Sequence, residues 1–176
     1  SPIVTREMGN VRYVDHASTE DLRLKNRDNP FVRCEEIVVV DYVWGARTLP
    51  ELVSGEAPFD WVLASHVIEH VPDLIGWLRE VSTILRPHGV LSLAIPDKRY
   101  CFDHYRQPTI TAEAVEAYLQ RQRRPSFRQI FDHVSSFATL GGSLTWDAWT
   151  EGVPTRQHTL RAALDSLFRS TGLSTR

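Results

Sequence analysis

A chain of 176 residues is long enough for one domain with a proper core, and 42% hydrophobic with 24% charged residues is ordinary for a soluble globular protein. A net charge of −2 gives no global attraction to nucleic acid or to an anionic membrane. The two cysteines, Cys34 and Cys101, provide no disulfide framework, which makes a reduced cytoplasmic setting the default. No apolar run approaches the length of a membrane span, and the first residues show no signal-peptide pattern.

In chain order, Val11–Val14 reads as a strand ending on Asp15. Ser18, with Asp21 three positions on, resembles a capping box and opens a short helix through about Asn26. Ile37–Val40 is another apolar, β-branched run, ending on Asp41. Both strands therefore finish on a carboxylate. Such a side chain can take both hydroxyls of a ribose, although any α/β protein places polar groups at its strand ends.

The stretch FDWVLASHVIEHVPDLIGWLREVSTILRPHGVLSLAIPD, from Phe59 to Asp97, reads as strand, loop, helix, turn, strand. Trp61–Ala64 is a short apolar run, and Ser65 to Pro72 bring polar groups and a breaker. Pro72 and Asp73 suit the first turn of a helix. Leu74, Leu78, Val81 and Leu85 lie beyond them on one helical face. Pro87 and Gly89 stop that helix, and Val90–Ile95 is a second continuous apolar run. Two such runs joined by an amphipathic helix make a βαβ unit, the core of an open α/β sheet. Ligands of such sheets bind beyond the carboxyl ends of the strands, here Ser65–His70 and Pro96–Arg99.

The order and spacing of S-H-V-I-E-H-V-P-D, L-R-E-V-S-T-I-L-R-P-H-G and I-P-D-K-R-Y-C-F-D resemble the second half of class I S-adenosylmethionine-dependent methyltransferases. Within that family the chain most resembles bacterial proteins of the type 11 and type 12 kind. The resemblance covers roughly residues 10 to 106 and implies a Rossmann-like open, mostly parallel sheet with helices on both faces. It implies a single domain over residues 1–176, with a cofactor-binding core in 1–106 and a helical acceptor or lid region in 107–176. It further implies methyl transfer from S-adenosylmethionine, leaving S-adenosylhomocysteine, to a small-molecule or carbohydrate-type acceptor. By carry-over, Asp15 is the candidate for the cofactor's ribose, Asp41 and Tyr42 lie by the adenine, and Ser65 and His66 stand beside the sulfonium.

The family's first strand and glycine-rich loop have no counterpart here, since SPIVTREMGN resembles the segment normally found just after that loop. Three explanations are open: residues upstream of Ser1 that this sequence omits, which is the expectation; a strand supplied by another chain; or Pro2–Thr5 filling part of the slot. At the other end, GLSTR stops where a further strand would begin. The alternative to an enzyme is a degenerate, non-catalytic methyltransferase-like domain that serves in association.

The densest chemistry is His66, Glu69 and His70. Written H-x-x-E-H, it matches the inverted zincin pattern, but that peptidase reading needs one continuous helix and Pro72 leaves little more than a turn. A hard divalent ion would want more oxygen ligands than this cluster offers, so no metal is expected. His66 and Glu69 are catalytic candidates, while His70 equally well bonds backbone inside the fold. Beyond the second strand, PDKRYCFDHYRQPTIT places Arg99, Tyr100, Asp103 and Arg106 on the acceptor side. Arg99 and Arg106 can fork on a carboxylate or phosphate, and His104 or Asp103 can act as general base. The plainer reading is a surface turn held by Arg–Asp pairs.

Thr111 to about Arg124 reads as a helix with Thr111 as N-cap. Arg121, Arg123, Arg124 and Arg128 fit phosphate or a solvated helix end; without interleaved aromatics, RNA is not the expected acceptor. Phe127–Phe137 reads as a helix on which His133 is structural. Leu140–Thr155 is loop-like, and its exposed-looking Trp146 and Trp149 fit a lid or an interface patch, with a homodimer compatible. Leu160–Ser170 reads as a last helix.

Overall fold

A computed structural model describes residues 3–30 and 32–171, which contain six α-helices and six strands in an α/β arrangement. The chain divides into two compact units, Ser1–Trp61 with Glu80–Val90 and Val62–Arg79 with Leu91–Arg176.

In the first unit, β1 (Val14–Asp15) and β2 (Tyr42–Val43) pair in parallel, Val14 opposite Tyr42 and Asp15 opposite Val43. Helix α1 (Thr19–Asn26) lies between them in sequence and is capped as expected: the Ser18 hydroxyl accepts the Asp21 amide at 3.1 Å. The strands themselves are shorter and later than Val11–Val14 and Ile37–Val40. Asp15 closes β1, but Asp41 precedes β2 instead of ending a strand. Side chains compete for the backbone here. The Asp41 carboxylate takes the Tyr13 amide at 2.7 Å, and the Thr19 hydroxyl takes the Val40 amide at 2.8 Å.

Helix α2 (Leu49–Leu52) is one turn closed by a capping box between Thr48 and Glu51. Its buried Leu49 and Leu52, with Val53, share the unit's core with Val81 and Ile84. The Leu49 amide donates to Glu80 Oε2 at 2.9 Å, so a carboxylate from the helix α3 (Leu74–Ile84) satisfies an orphan donor of α2.

Strands β3 (Phe59–Ser65) and β4 (Leu85–Ala94) flank α3 in sequence and pair with each other. Just past β3, the His66 amide donates to Ala94 O at 2.9 Å, and at the opposite ends Arg86 pairs with Asp60. Like ends meet, so the strands run parallel, as the βαβ reading requires.

Two details differ from expectation. Asp73 Oδ1 accepts the Gly76 amide at 2.8 Å, which makes Asp73 the cap and puts Pro72 and Asp73 before the first turn. The buried face of α3 is Trp77, Val81 and Ile84, with Leu78 turned outward. The indole carries the largest apolar area and takes the inward position. The helix ends at Ile84, as Pro87 dictates by lacking a donor and crowding the preceding turn.

The apolar runs of β3 and β4 are half covered. Trp61, Leu63, Val90 and Leu93 remain exposed where both faces were expected to be buried. The described residues form three two-stranded sheets, and none of their strands joins β1–β2 to β3–β4.

In the second unit, a 3₁₀ turn (Lys98–Tyr100) leads to α4 (Thr111–Leu119), α5 (Phe127–Ser136), β5 (Ala138–Thr139), β6 (Thr155–Arg156) and α6 (Leu160–Thr171). Helix α5 packs on α6, and Ala138 and Ala163 are fully buried. Ala138 donates to Phe102 O at 2.7 Å, Trp146 donates to Tyr100 O at 3.1 Å, and Cys101 bridges Thr145. The segment after β4 is thereby tied to the one after α5. Its loop is less irregular than expected, because β5 and β6 close it as an antiparallel pair. Helix α4 is shorter than expected: Thr111 is its first residue, Ile110 its cap, and Arg121–Arg124 lie past its end. The strand expected beyond GLSTR and part of the Pro2–Thr5 slot lie outside the described residues.

Candidate active site

The second unit carries most of the sequence-predicted chemistry. At the exit of β3, Ser65 is half-buried and His66 has φ +53°. A non-glycine residue in this left-handed region is strained by about 1–3 kcal/mol and needs surrounding structure to hold it. The amide bond from His66 to Ala94 O does so. A single 3₁₀ turn, Ile68–His70, then brings Glu69 back toward His66, with Nδ1 3.4 Å from Oε1. That short turn also rules out the zincin arrangement, which needs the three residues on one α-helix.

The second Glu69 oxygen, Oε2, is buried and has no hydrogen-bond partner among the described residues. A buried polar oxygen without a partner is uncommon in folded proteins and marks the position for attention. The imidazole side of the pair is solvent-accessible. A proton on Nδ1 facing Oε1 leaves the Nε2 lone pair outward, available as a base.

Beyond β4, Arg99 folds back onto Asp97, with Nε 3.0 Å from both carboxylate oxygens. The Arg99 side-chain hydrogen bond holds the Asp97 carboxyl down at about 2. Arg106 pairs instead with Asp132 on α5 at 3.2 Å. Each arginine thus has its own internal carboxylate, and the Arg–Asp turn is the arrangement observed. His104 is half-buried, its Nδ1 3.1 Å from Arg99 O and its ring against Tyr105 and Trp146. Tyr100 stacks under the Arg99 guanidinium at 5.2 Å. Asp103 accepts a bond from the Cys101 thiol at 2.9 Å; burial first, then this contact, pushes that thiol up to about 11 and makes it unreactive.

His133 on α5 packs edge-on to Phe102 and against Phe137. Burial, then the Arg106 charge, lowers its pKa below the ordinary 6.5, and Asp103, His70 and Asp132 lie close enough to act on it too. Charges from three separate stretches of chain, at His70, at Asp103 and Arg106, and at Asp132, thus bear on His133.

The first unit holds the other candidates. Asp15 lies at the carboxyl end of β1, its carbonyl accepting the Trp44 amide at 2.7 Å and its carboxylate meeting the His16 amide and His16 Nδ1 through Oδ1 at 2.6 Å. Asp41 is committed within the unit, where it receives Arg6 at 2.8 and 2.9 Å and the Tyr13 amide at 2.7 Å. Desolvation opposes its charge, but these bonds outweigh it and lower its pKa. Tyr42 donates to Glu56 at 2.8 Å beside Arg12, an arrangement that raises its own pKa.

Sequence reasoning missed Arg6, Arg12 and Glu56 as partners, and the Trp146 indole that donates to Arg99 O at 3.1 Å. Arg6 and Asp41 are 35 residues apart, Arg12 and Glu56 44, and Trp146 and Arg99 47, which leaves no local signal. Among the described residues, no three His, Cys, Asp or Glu side chains converge as a metal-binding group, and no helix is long and apolar enough to cross a membrane.

Residues 9–173 match the family model described as a methyltransferase domain, which bears out the class I resemblance along nearly the whole chain. No curated protein and no solved structure matches.

Proposed function

Because the chain belongs to the methyltransferase-domain family, we propose that it transfers a methyl group from S-adenosylmethionine to a hydroxyl- or amine-bearing small molecule, such as a carbohydrate-type acceptor. The observation that carries this reading is the His66–Glu69 pair, on strained backbone at the carboxyl end of a parallel strand, with a buried carboxylate oxygen left unpaired.

The bound cofactor supplies a methyl group on a sulfonium, already a good leaving group, so alignment contributes much of the acceleration. In the first unit, Asp15 Oδ2 would be the acceptor for a ribose hydroxyl; in the second, taken by itself, Ser65 and the His66 backbone would face a sulfonium. Glu69 Oε1, 3.4 Å from His66 Nδ1, orients the imidazole. His66 Nε2 then takes the proton released as the acceptor atom is methylated. Arg99, Tyr100, Asp103 and Arg106 border the acceptor, and His104 is positioned by its bond to Arg99 O. Within the first unit, Asp41 and Tyr42, held by Arg6 and Glu56, would be the candidates for an adenine.

Calorimetric titration of S-adenosylhomocysteine into the chain tests the reading. Micromolar binding that weakens about tenfold in Asp15→Ala is the expected result. No binding by the folded chain would overturn it in favour of a non-catalytic domain used in association.

A further inference from the structure

The segment LQRQRRPSFR, residues 119–128, holds four arginines and no acidic residue in a chain whose net charge is −2. Helix α4 ends at Leu119 and its last turn carries no basic side chain, so Arg121, Arg123 and Arg124 belong to the connecting turn. Complementing a helix dipole does not account for them.

The turn is built from the inside. The Arg121 amide donates to Tyr118 O and the Gln122 amide to Ala117 O, both at 3.0 Å. The half-buried Gln122 side chain donates to Arg124 O at 2.8 Å and to Gln129 Oε1 at 2.6 Å. Around that anchor the three arginines are exposed, and Arg121 is held at φ +50°. Two large apolar side chains bracket them in the open: Leu119 is 74% exposed and Phe127 59%. Arg128 is paired with Glu113, and Glu116 is an exposed acid on the preceding helix.

We propose that this turn docks the protein on an anionic lipid surface, with Leu119 and Phe127 entering the apolar layer and Arg121, Arg123 and Arg124 on the lipid phosphates. A guanidinium fork matches phosphate oxygens. Apolar side chains flanked by cations match a layer of anions above hydrocarbon. Single-stranded nucleic acid would instead call for successive stacking rings, and Phe127 is alone, while an exposed leucine adds nothing to such a groove. With the chain slightly acidic overall, the attraction is confined to this turn and is salt-sensitive. None of this rests on methyl transfer.

The test is co-sedimentation of the whole chain with phosphatidylcholine vesicles, with or without phosphatidylglycerol as a third of the lipid. Binding to the anionic vesicles should fall by about tenfold or more without phosphatidylglycerol, at high salt, and in the triple variant Arg121→Gln, Arg123→Gln, Arg124→Gln. Phe127→Ser should weaken binding severalfold while keeping its salt dependence. Circular dichroism confirms that the variants fold. No binding to anionic vesicles, or undiminished binding by the triple variant, would overturn the proposal. So would tighter binding to a single-stranded RNA oligomer, which would assign the turn to nucleic acid.

Discussion

Asp41 and Glu56 in the first unit and Glu69 in the second use their carboxylates in opposite ways. In the first, Asp41 and Glu56 are enclosed by donors from distant stretches: Arg6 and the Tyr13 amide for one, Arg12 and Tyr42 for the other. In the second, Glu69 has one oxygen 3.4 Å from a histidine and the other buried with no partner among the described residues. Hydrogen-bonded carboxylates contribute to a fold, whereas a buried carboxylate oxygen without a partner does not.

Substitutions can break that contrast, and the largest effect is expected at Asp41. Asp41→Ala removes three hydrogen bonds and should lower unfolding free energy by about 1–2 kcal/mol in urea titrations, after allowance for solvent screening. A loss within error would mean that the Arg6 pair is an exposed decoration. Glu56→Gln should give a smaller drop in melting temperature, since Tyr42 can still donate to the amide oxygen while the Arg12 charge pair is lost.

The contrast extends to pH. The depressed pKa of His133 means that it folds neutral, so its contribution to stability is present above pH 6.5 and lost as pH falls through the lowered folded value. The groups facing it are Arg106 and Asp103 after β4, His70 after β3, and Asp132 on its own helix. Comparing thermal melts at pH 7.5 and 5.5, wild type should lose more than His133→Phe, which keeps the ring contacts with Phe102 and Phe137 but cannot titrate. Equal losses would remove His133 from the acid response of the second unit.

The smallest stability effect is expected at Glu69. Glu69→Gln should leave the melting temperature unchanged, because Oε2 has no hydrogen-bond partner to lose among the described residues. A marked destabilisation would place Glu69 with Asp41 among the structural acids and remove the main support for the proposed site.

Local signals read well wherever one short segment decides the outcome. The Ser18 cap, the span of α1, the strand–helix–strand order from Phe59 to Ala94, and the extents of α5 and α6 come from capping side chains, breakers and apolar periods. They read less well where distant groups compete. The strand expected at Ile37–Val40 is displaced because Thr19 and Asp41 side chains take nearby amides. Helix α4 stops before its arginines because Gln122 turns inward to bond the downstream backbone and Gln129.

The candidate site divides in the same way. His66, Glu69 and the Asp97–Arg106 stretch were visible as a cluster of chemistry in one βαβ unit, and their order and spacing point to the family. Their long-range partners were not visible. The Arg99–Asp97 pair is local and fits the Arg–Asp turn read from the sequence, but only tertiary structure decides that Arg106 reaches Asp132 and that Trp146 donates to Arg99 O. A residue's type and its strand-end position are local properties. Which charge it meets depends on chain segments tens of residues away, and only packing brings those segments together.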